Sequence, residues 1–415
     1  MESRKSAIIV LLAWVVVACG GGEARWAGTI TDSAGVTIVS NTDIGVWVPG
    51  EEWTLEEELR IGALEGDPEY QIGQVGSLAL DSKGRIHVLD TQAQHIQVYS
   101  SDGIYEQTIG SRGGGPGELG YAMALLMGPG DTLLVPDGQN LRFSRYAPDG
   151  SSAGSIRLDP DGAWPMAFKA AASGAMVEQI RLFALSGQPA IENPTDLIVR
   201  LASDGSVTDT LMTFPSGKSM VFDSQYHFFE AEPLWDLTDY SQIVLGVNDE
   251  YRLGVYANGH LERIITKTWE RKPVSDADKA AQVAALERRW AELGVSPERK
   301  RMARDRINFA EFLPAITMVA AGPMGTIWVQ PMRMPSELSE EEWASLRADH
   351  SEDLGAPEWD VFDAEGRFLG VVTMPERFAP SLFRDDLIYG VWRDELNVEF
   401  VVRLRIVSDL GAGAT

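Results

Sequence analysis

Three sets of residues have types and spacings that invite chemical readings. The first is the glycine-rich run GSRGGGPGEL at residues 110–119, where Gly115, Gly117 and Gly120 satisfy G-x-G-x-x-G. A dinucleotide site of that pattern must end a strand and open a helix, so that phosphate meets the helix N-terminus. The residues that follow, YAMALLMGPGDTLLV, read instead as more strand and turn, and Glu118 would set a carboxylate beside the phosphate. The run is expected to be a turn whose glycines take positive φ, with Arg112 and Glu118 pairing across it and standing as candidate binding residues.

The second set imitates catalytic and metal motifs. Gly217-Lys218-Ser219 resembles the end of a P-loop, but Met212 occupies the position that requires glycine. Gly150 to Gly154 satisfies G-x-S-x-G, yet it falls on a hairpin turn, and no histidine can be matched to Ser152. Asp159 and Asp161 before Gly162 begin like a calcium loop that lacks its remaining ligands. His87, His95, His227, His260 and His350 show no metal-ligand spacing and read as surface or hydrogen-bonded sheet residues. The third set is scattered. Asp236, Arg384, Asp385, Asp386 and Glu178 could converge only if a fold gathered them, and Trp164, Trp235 and Phe383 could line a mouth suited to sugar or peptide faces, or pack between sheets.

The elements that would position these residues repeat along the chain. Residues 75–110 hold a short apolar strand, a turn, two β-rich strands, an Asp102-Gly103 turn and a fourth strand. Ile86 and Val88 alternate with Arg85 and His87, and Ile96 and Val98 with Gln97 and Tyr99, a period-two pattern that predicts strands with unlike faces. Equivalent turns are Asp149-Gly150, Asp204-Gly205, Asn258-Gly259 and Ala364-Glu365-Gly366, at glycine spacings of 47, 55, 54 and 107. The last interval holds an insertion, and a sixth copy fits residues 381–406. Four strands per ~40–50 residues suit a propeller blade, because one twisted sheet buries both faces only by stacking in a ring. The chain is therefore expected to be all-β: a six-bladed β-propeller over residues 28–410, with helical insertions. The sixth copy lacks an outer strand, which either residues 35–41 or residues 53–61 could supply. The presumed inner strands, such as SLALD, PLWDLT and SLFRDD, are mostly apolar.

Two stretches leave the repeat. Residues 273–310 read as helical, with a capping box at Ser275 and Asp278 and an apolar face of Val283, Leu286, Trp290 and Leu293; a second helix starts at Pro297. Residues 335–350 carry a second capping box, Ser339 with Glu342, and a staple of Leu338 with Trp343. Of 415 residues 44% are hydrophobic and 23% charged, which is globular composition, and the net charge of −26 repels phosphate backbones and argues against nucleic acid as a partner. Against that background, residues 271–306 hold ten Lys or Arg and only six Asp or Glu.

The N-terminus reads as an address. Arg4 and Lys5 precede the 12-residue apolar run Ala7 to Ala18, too short for a bilayer core that needs ~20 residues. The run ends Val16-Val17-Ala18-Cys19, which resembles a bacterial lipobox and implies acylation of Cys19, the single cysteine, after removal of residues 1–18. Residues 19–27, with Gly20, Gly21 and Gly22, would be a flexible tether. With no Asp after Cys19, the resemblance places the protein at the periplasmic face of the outer membrane.

With blades, lipobox and loop together, the chain resembles the six-bladed propellers of the NHL and TolB-like group, in particular bacterial exported proteins whose first inter-blade loop has an Arg-Gly-x-Gly-Pro-Gly-Glu pattern, here Arg112 to Glu118. TDSAGVTIVSN at 31–41 and GDPEYQIGQV at 66–75 also look typical of that group. The resemblance implies a fold and an address more than an activity. Lactonases on the same scaffold hold calcium in the channel through Glu, Asn and Asp, but no asparagine occurs in the six presumed inner strands. The expected function is a cell-envelope binding or scaffolding module for a protein, peptide or glycan ligand, without a cofactor. Arg112, Glu118, Trp164, Trp235, Asp236 and Arg384 are its candidate binding residues, and no catalytic residue is assigned. The alternative is a calcium-dependent hydrolase or lactonase using the channel. Metabolic labelling with a lipid precursor should mark the wild-type chain and leave Cys19→Ala unlabelled; equal labelling would remove the anchor.

Overall fold

The computed structural model describes residues 26–158, 163–171, 173–182, 195–217, 226–345 and 354–408. Cys19, the stretch before it, Asp159, Asp161, Lys218, Ser219 and His350 lie outside the described residues.

The chain is a six-bladed β-propeller. Blade 1 is the antiparallel meander Val75–Leu80, Ile86–Asp90, His95–Tyr99 and Tyr105–Ile109. Blades 2 to 5 repeat it, with inner strands Leu126–Met127, Ala163–Ala170, Pro233–Leu237 and Ile316–Ala321 and outer strands Ser152–Arg157, Val207–Pro215, His260–Lys267 and Phe368–Thr373. Blade 6 takes Phe378–Arg384, Leu387–Arg393 and Glu399–Val407 from the C-terminus. Its outer strand is Thr54–Ile61 from the N-terminal side, antiparallel to Glu399–Val407. Of the two segments that could have closed the ring, residues 54–61 do so. Val36–Asn41 instead runs parallel to His260–Lys267 and, with Thr29–Ser33, widens blade 4 to six strands.

Why the sheets form a ring is visible in the packing. Six hydrophobic clusters each lie between consecutive blades: Leu133, Val135 and Tyr146 meet Leu89, Ile96 and Ile109 between blades 1 and 2, and Ile61 and Val401 meet Leu80 and Ile86 between blades 6 and 1. Both faces of a blade are therefore buried, which corrects the expectation of unlike faces. All five residues of Ile86–Asp90 are buried. Polar side chains on the second face are accommodated by local bonds: Gln97 and Tyr99 both donate to the Glu69 carbonyl, at 3.1 and 2.7 Å. His87 is not a surface residue; it is buried with neither ring nitrogen hydrogen-bonded, and burial outweighs the attraction of Asp81 and lowers its pKa.

The recurrent glycine has two duties. Gly259 and Gly366 sit at φ +78° and +86° in the turns between third and fourth strands. Both also touch the preceding blade's outer strand, where an added Cβ would lie 2.4 Å from the Leu211 carbonyl oxygen and 2.7 Å from Ile265 respectively. The turn thus sets the spacing between blades as well as the hairpin.

Connections between an outer strand and the next inner strand emerge on one face of the ring, here the upper, together with the turns between second and third strands. Among the described residues, three long insertions, at 226–232, 268–315 and 332–345 with 354–357, are connections of these kinds and share that face. They build a cap with its own core of Phe229, Val274, Ala285, Leu313, Trp343 and Leu354. The cap contains α1 (Asp276–Glu292), α2 (Pro297–Arg304) and the short α3 (Glu340–Ser345), and both expected capping boxes form. The helical segment ends earlier than expected: Ile307–Phe309 is a strand parallel to Tyr226–Phe228. Leu293 leaves the apolar face because it caps α1, and it is 61% exposed.

Gly259→Ala should lower the thermal midpoint clearly more than Gly35→Ala. At Gly35, φ is +86° with open space beyond, so only left-handed strain of about 1–2 kcal/mol applies. At Gly259 the clash with the Leu211 carbonyl adds to that strain and should bring the loss to roughly 3 kcal/mol.

Candidate functional site: the central channel

The innermost strand of each blade has one edge without a partner, and six such edges surround a cavity of about 500 Å3 on the ring axis. Inner strands of blades 1, 3, 5 and 6 are bulged, at Val75/Ser77, Pro165/Ala167, Ile316/Met318 and Pro380/Leu382. A bulge reverses which side of the strand the later residues face, and it bends the edge toward the axis.

The lining changes character along the axis. Leu125, Leu234, Met318 and Pro380 lie in the upper half, where inner strands begin, with Ser77, Thr317 and Ser381 as small polar groups. The charged residues Lys169, Asp236, Asp239 and Arg384 fall at the ends of these strands or just past them, in the lower half. Asp236 ties three blades together. It pairs with Lys169 Nζ of blade 3 at 3.0 Å and accepts the Ala321 N–H of blade 5 at 2.8 Å and its own neighbour's, Leu237, at 2.9 Å. Its carboxylate is thus engaged on both oxygens. Arg384, at the end of the blade 6 inner strand, has no ion-pair partner among the described residues, and its buried Nε lacks a hydrogen-bond acceptor. The channel therefore gathers its charged side chains toward the lower end, where Arg384 has no ion-pair partner among the described residues. Among the described residues no three His, Cys, Asp or Glu side chains are grouped as a metal ion would need.

Of the candidate residues, Asp236 and Arg384 line the channel, Trp235 and Phe383 border it while packing between blades, and the others are placed elsewhere. The Trp235 ring packs between blades 3 and 4, only 8% exposed, and donates to Gln179 Oε1 at 2.6 Å. Phe383 tilts against Trp328 between blades 5 and 6, with centroids 5.3 Å apart. Trp164 is half-buried opposite Arg181 and is not part of the channel wall. Asp386 turns outward to pair with Arg405, and neither it nor Asp385 lines the channel. Glu178 lies on the second strand of blade 3, between Phe168 and Val199.

The glycine-rich loop connects blade 1 to blade 2 on the upper face. Arg112 and Glu118 do not pair: Arg112 donates to the Gln92 carbonyl, and Glu118 accepts the Gly115 N–H at 2.7 Å. Arg142 donates to the carbonyls of Gly115 and Glu118, and Asn140 to that of Gly113, so this loop presents carbonyls to fixed donors. Asp137 takes the N–H groups of Gly120, Tyr121 and Asn140. Burial opposes its charge, but these bonds prevail and hold its pKa below the usual carboxylate range. One blade earlier, Asp90 likewise accepts the N–H groups of Gly73 and Ala93.

Two buried networks escaped the sequence reading. Asp196 accepts from Arg181 at 2.8 and 2.9 Å and from Gln179 at 2.6 Å, and Gln179 in turn holds Trp235. Asp360 accepts from Tyr251 and from Lys267 at 2.9 Å, locking blade 5 to blade 4. An aspartate inside an apolar strand, as in Trp359-Asp360-Val361, was the available signal, since a buried carboxylate requires donors.

The DUF5128 family, described as a 6-bladed beta-propeller, matches residues 58–125, from the closing strand through blade 1 to the edge of blade 2. No curated protein matches the sequence. Among solved structures, a Bacteroides fragilis protein provisionally named as exported is 12% identical, with a TM-score of 0.51 over 89% of this chain and 100% of its own. A DUF4221 family member from Bacteroides vulgatus is 13% identical, with a TM-score of 0.53 over 86% and 99%. A gluconolactonase of Xanthomonas campestris aligns over 85% and 99% at 10% identity, with a TM-score of 0.43. Identities this low establish the six-bladed fold and nothing finer.

Glu178 supplies a test of the blade packing. Burial alone raises its pKa from 4.5 to about 7. Because the folded chain binds this proton more tightly than the unfolded chain, the stability it confers is full below pH 4.5 and is lost as pH rises through about 7. The loss amounts to about 3 kcal/mol. Glu178→Met removes the titration, so its thermal midpoint relative to wild type should climb between pH 5 and pH 8; a constant offset would show that the carboxyl is not desolvated.

Proposed function

We propose that this chain is a lipid-anchored propeller of the bacterial cell envelope that binds a segment of a protein, peptide or glycan in its central channel. The observation that carries this reading is Arg384, which stands at the lower end of a channel lined largely by apolar side chains and has no ion-pair partner among the described residues. Such a channel takes a ligand with an apolar body and a single anionic group, a carboxylate above all, because a guanidinium presents paired donors in the geometry a carboxylate accepts. The closed ring supports a binding role, since its rigid inter-blade cores leave the six inner edges fixed before the ligand arrives. The address rests on the lipobox-like Val16–Cys19 and on the resemblance to exported NHL and TolB-like propellers. No helix among the described residues is long and apolar enough to cross a membrane.

A photoreactive amino acid placed at Ser381, an exposed position on the channel wall, tests the reading in intact cells. It should capture an envelope peptide, protein or glycan, and Arg384→Glu should cut the yield at least about tenfold, the scale of a lost charge-assisted bond. Capture no greater than from a photoreactive group at Val207, on an outer strand, would overturn it. Turnover of a lactone or ester panel that stops on adding a chelator would favour the calcium-dependent hydrolase instead.

A further inference from the structure

The cap carries a charge pattern that the binding channel does not use. In a chain of net charge −26, most acids within the basic insertion are already committed. Asp278 is buried, held by Ser275 and by the Ser336 N–H at 3.0 Å. Glu287 pairs with Arg304 at 2.7 Å, Glu292 with Arg289 at 3.4 Å and Asp276 with Lys279 at 3.6 Å. Arg288, Arg299, Lys300, Arg301 and Arg306 are left without an acidic partner among the described residues. Leu293 and Met302, the latter 52% exposed, stand within the same two-helix segment.

A second observation concerns where the chain enters. The Trp26 indole donates to Asn41 Oδ1 at 2.8 Å, and the Asn41 carbonyl accepts the Thr268 N–H at 3.0 Å. Thr268 is three residues before Arg271, so the N-terminal side of the propeller leaves the body at the corner where the basic insertion begins. Six residues lie between Cys19 and Trp26, a reach of at most about 25 Å when fully extended.

We propose that the α1–α2 face docks on the phosphate-bearing headgroups of the membrane that holds the N-terminal anchor. This rests on the anchored reading above. Unpaired arginines gain from anionic headgroups, the exposed Leu293 and Met302 enter the headgroup boundary, and the acidic body is repelled from the same surface, so all three terms orient the ring one way. The upper face then lies toward the bilayer, and the lower, charged end of the channel opens away from it.

The mature acylated protein tests this, because its only native cysteine is Cys19 and a new one takes a label uniquely. A fluorophore on Met302→Cys should be quenched by a lipid-phase quencher in phosphatidylcholine vesicles containing about one-third phosphatidylglycerol, and several-fold less in phosphatidylcholine alone. A label on Asp102→Cys, at a turn on the lower face, should stay unquenched in both. Adding the charge reversals Arg299→Glu, Lys300→Glu and Arg301→Glu, or about 0.5 M NaCl, where screening acts within about 5 Å, should abolish the difference. Equal quenching at position 302 in both vesicles, or equal quenching at 302 and 102, overturns the proposal. So does loss of a bound acidic protein in the charge-reversed variant with no quenching in any vesicle, which would make the face a protein dock. If lipid precursor fails to label Cys19, the anchor falls separately. Docking is then read by flotation of the unacylated protein, which must follow the phosphatidylglycerol vesicles or the proposal fails.

Discussion

Every blade of this protein has two apolar faces, and one four-stranded sheet cannot bury both. The ring is the solution: each face finds its partner on the adjacent blade, and the six inter-blade clusters are the core. The requirement is cyclic, so it has to be met at the seam as well. Thr54–Ile61 meets it by pairing with Glu399–Val407, which places Ile61 in the cluster between blades 6 and 1. Chain ends distant in sequence are thereby stitched by hydrogen bonds inside one sheet, and the outer edge of Glu399–Val407 is covered.

The same constraint creates the channel. Because side chains of a blade point toward neighbouring blades, the axis is lined by strand edges and by the few side chains that bulges and strand ends release. Large aromatic residues of the inner strands are accordingly drawn between blades, as Trp235 and Phe383 are, although both still border the channel beside small, aliphatic and charged groups. Asp236 joins the two roles, since its carboxylate clips blades 3, 4 and 5 together while neutralising Lys169. Arg384 has no ion-pair partner among the described residues and so no such bracing role.

The insertions obey a topological rule. Only connections that emerge on the upper face have been lengthened, so they meet and form a core of their own without disturbing the six below. The lower face keeps tight turns whose glycines press on the preceding blade, where extra residues would wedge blades apart. A ring with one elaborated face and one plain face is polarised along its axis in composition and charge.

Much of this was decided locally and could be read from the chain. Strand, turn and blade count follow from period-two runs and Asp-Gly or Asn-Gly turns, and the caps at Ser275 and Ser339 follow from residues three apart, because each involves contacts between near neighbours. The tertiary structure alone decided which N-terminal segment closes the ring, since Val36–Asn41 and Thr54–Ile61 are both β-rich and only the fit at the seam distinguishes them. It also decided the fate of the candidate site. Asp236 and Arg384 both line the channel, whereas Asp386 turns outward, Glu178 lies on the second strand of blade 3, and the Trp235 ring, though it borders the channel, packs between blades 3 and 4. Alternation predicts that residues two apart share a face, but not which neighbour that face meets, and the bulges at Gly76, Met166, Thr317 and Ser381 reverse the parity within a strand. A bulge is a response to ring curvature, a property of six blades together rather than of any one segment.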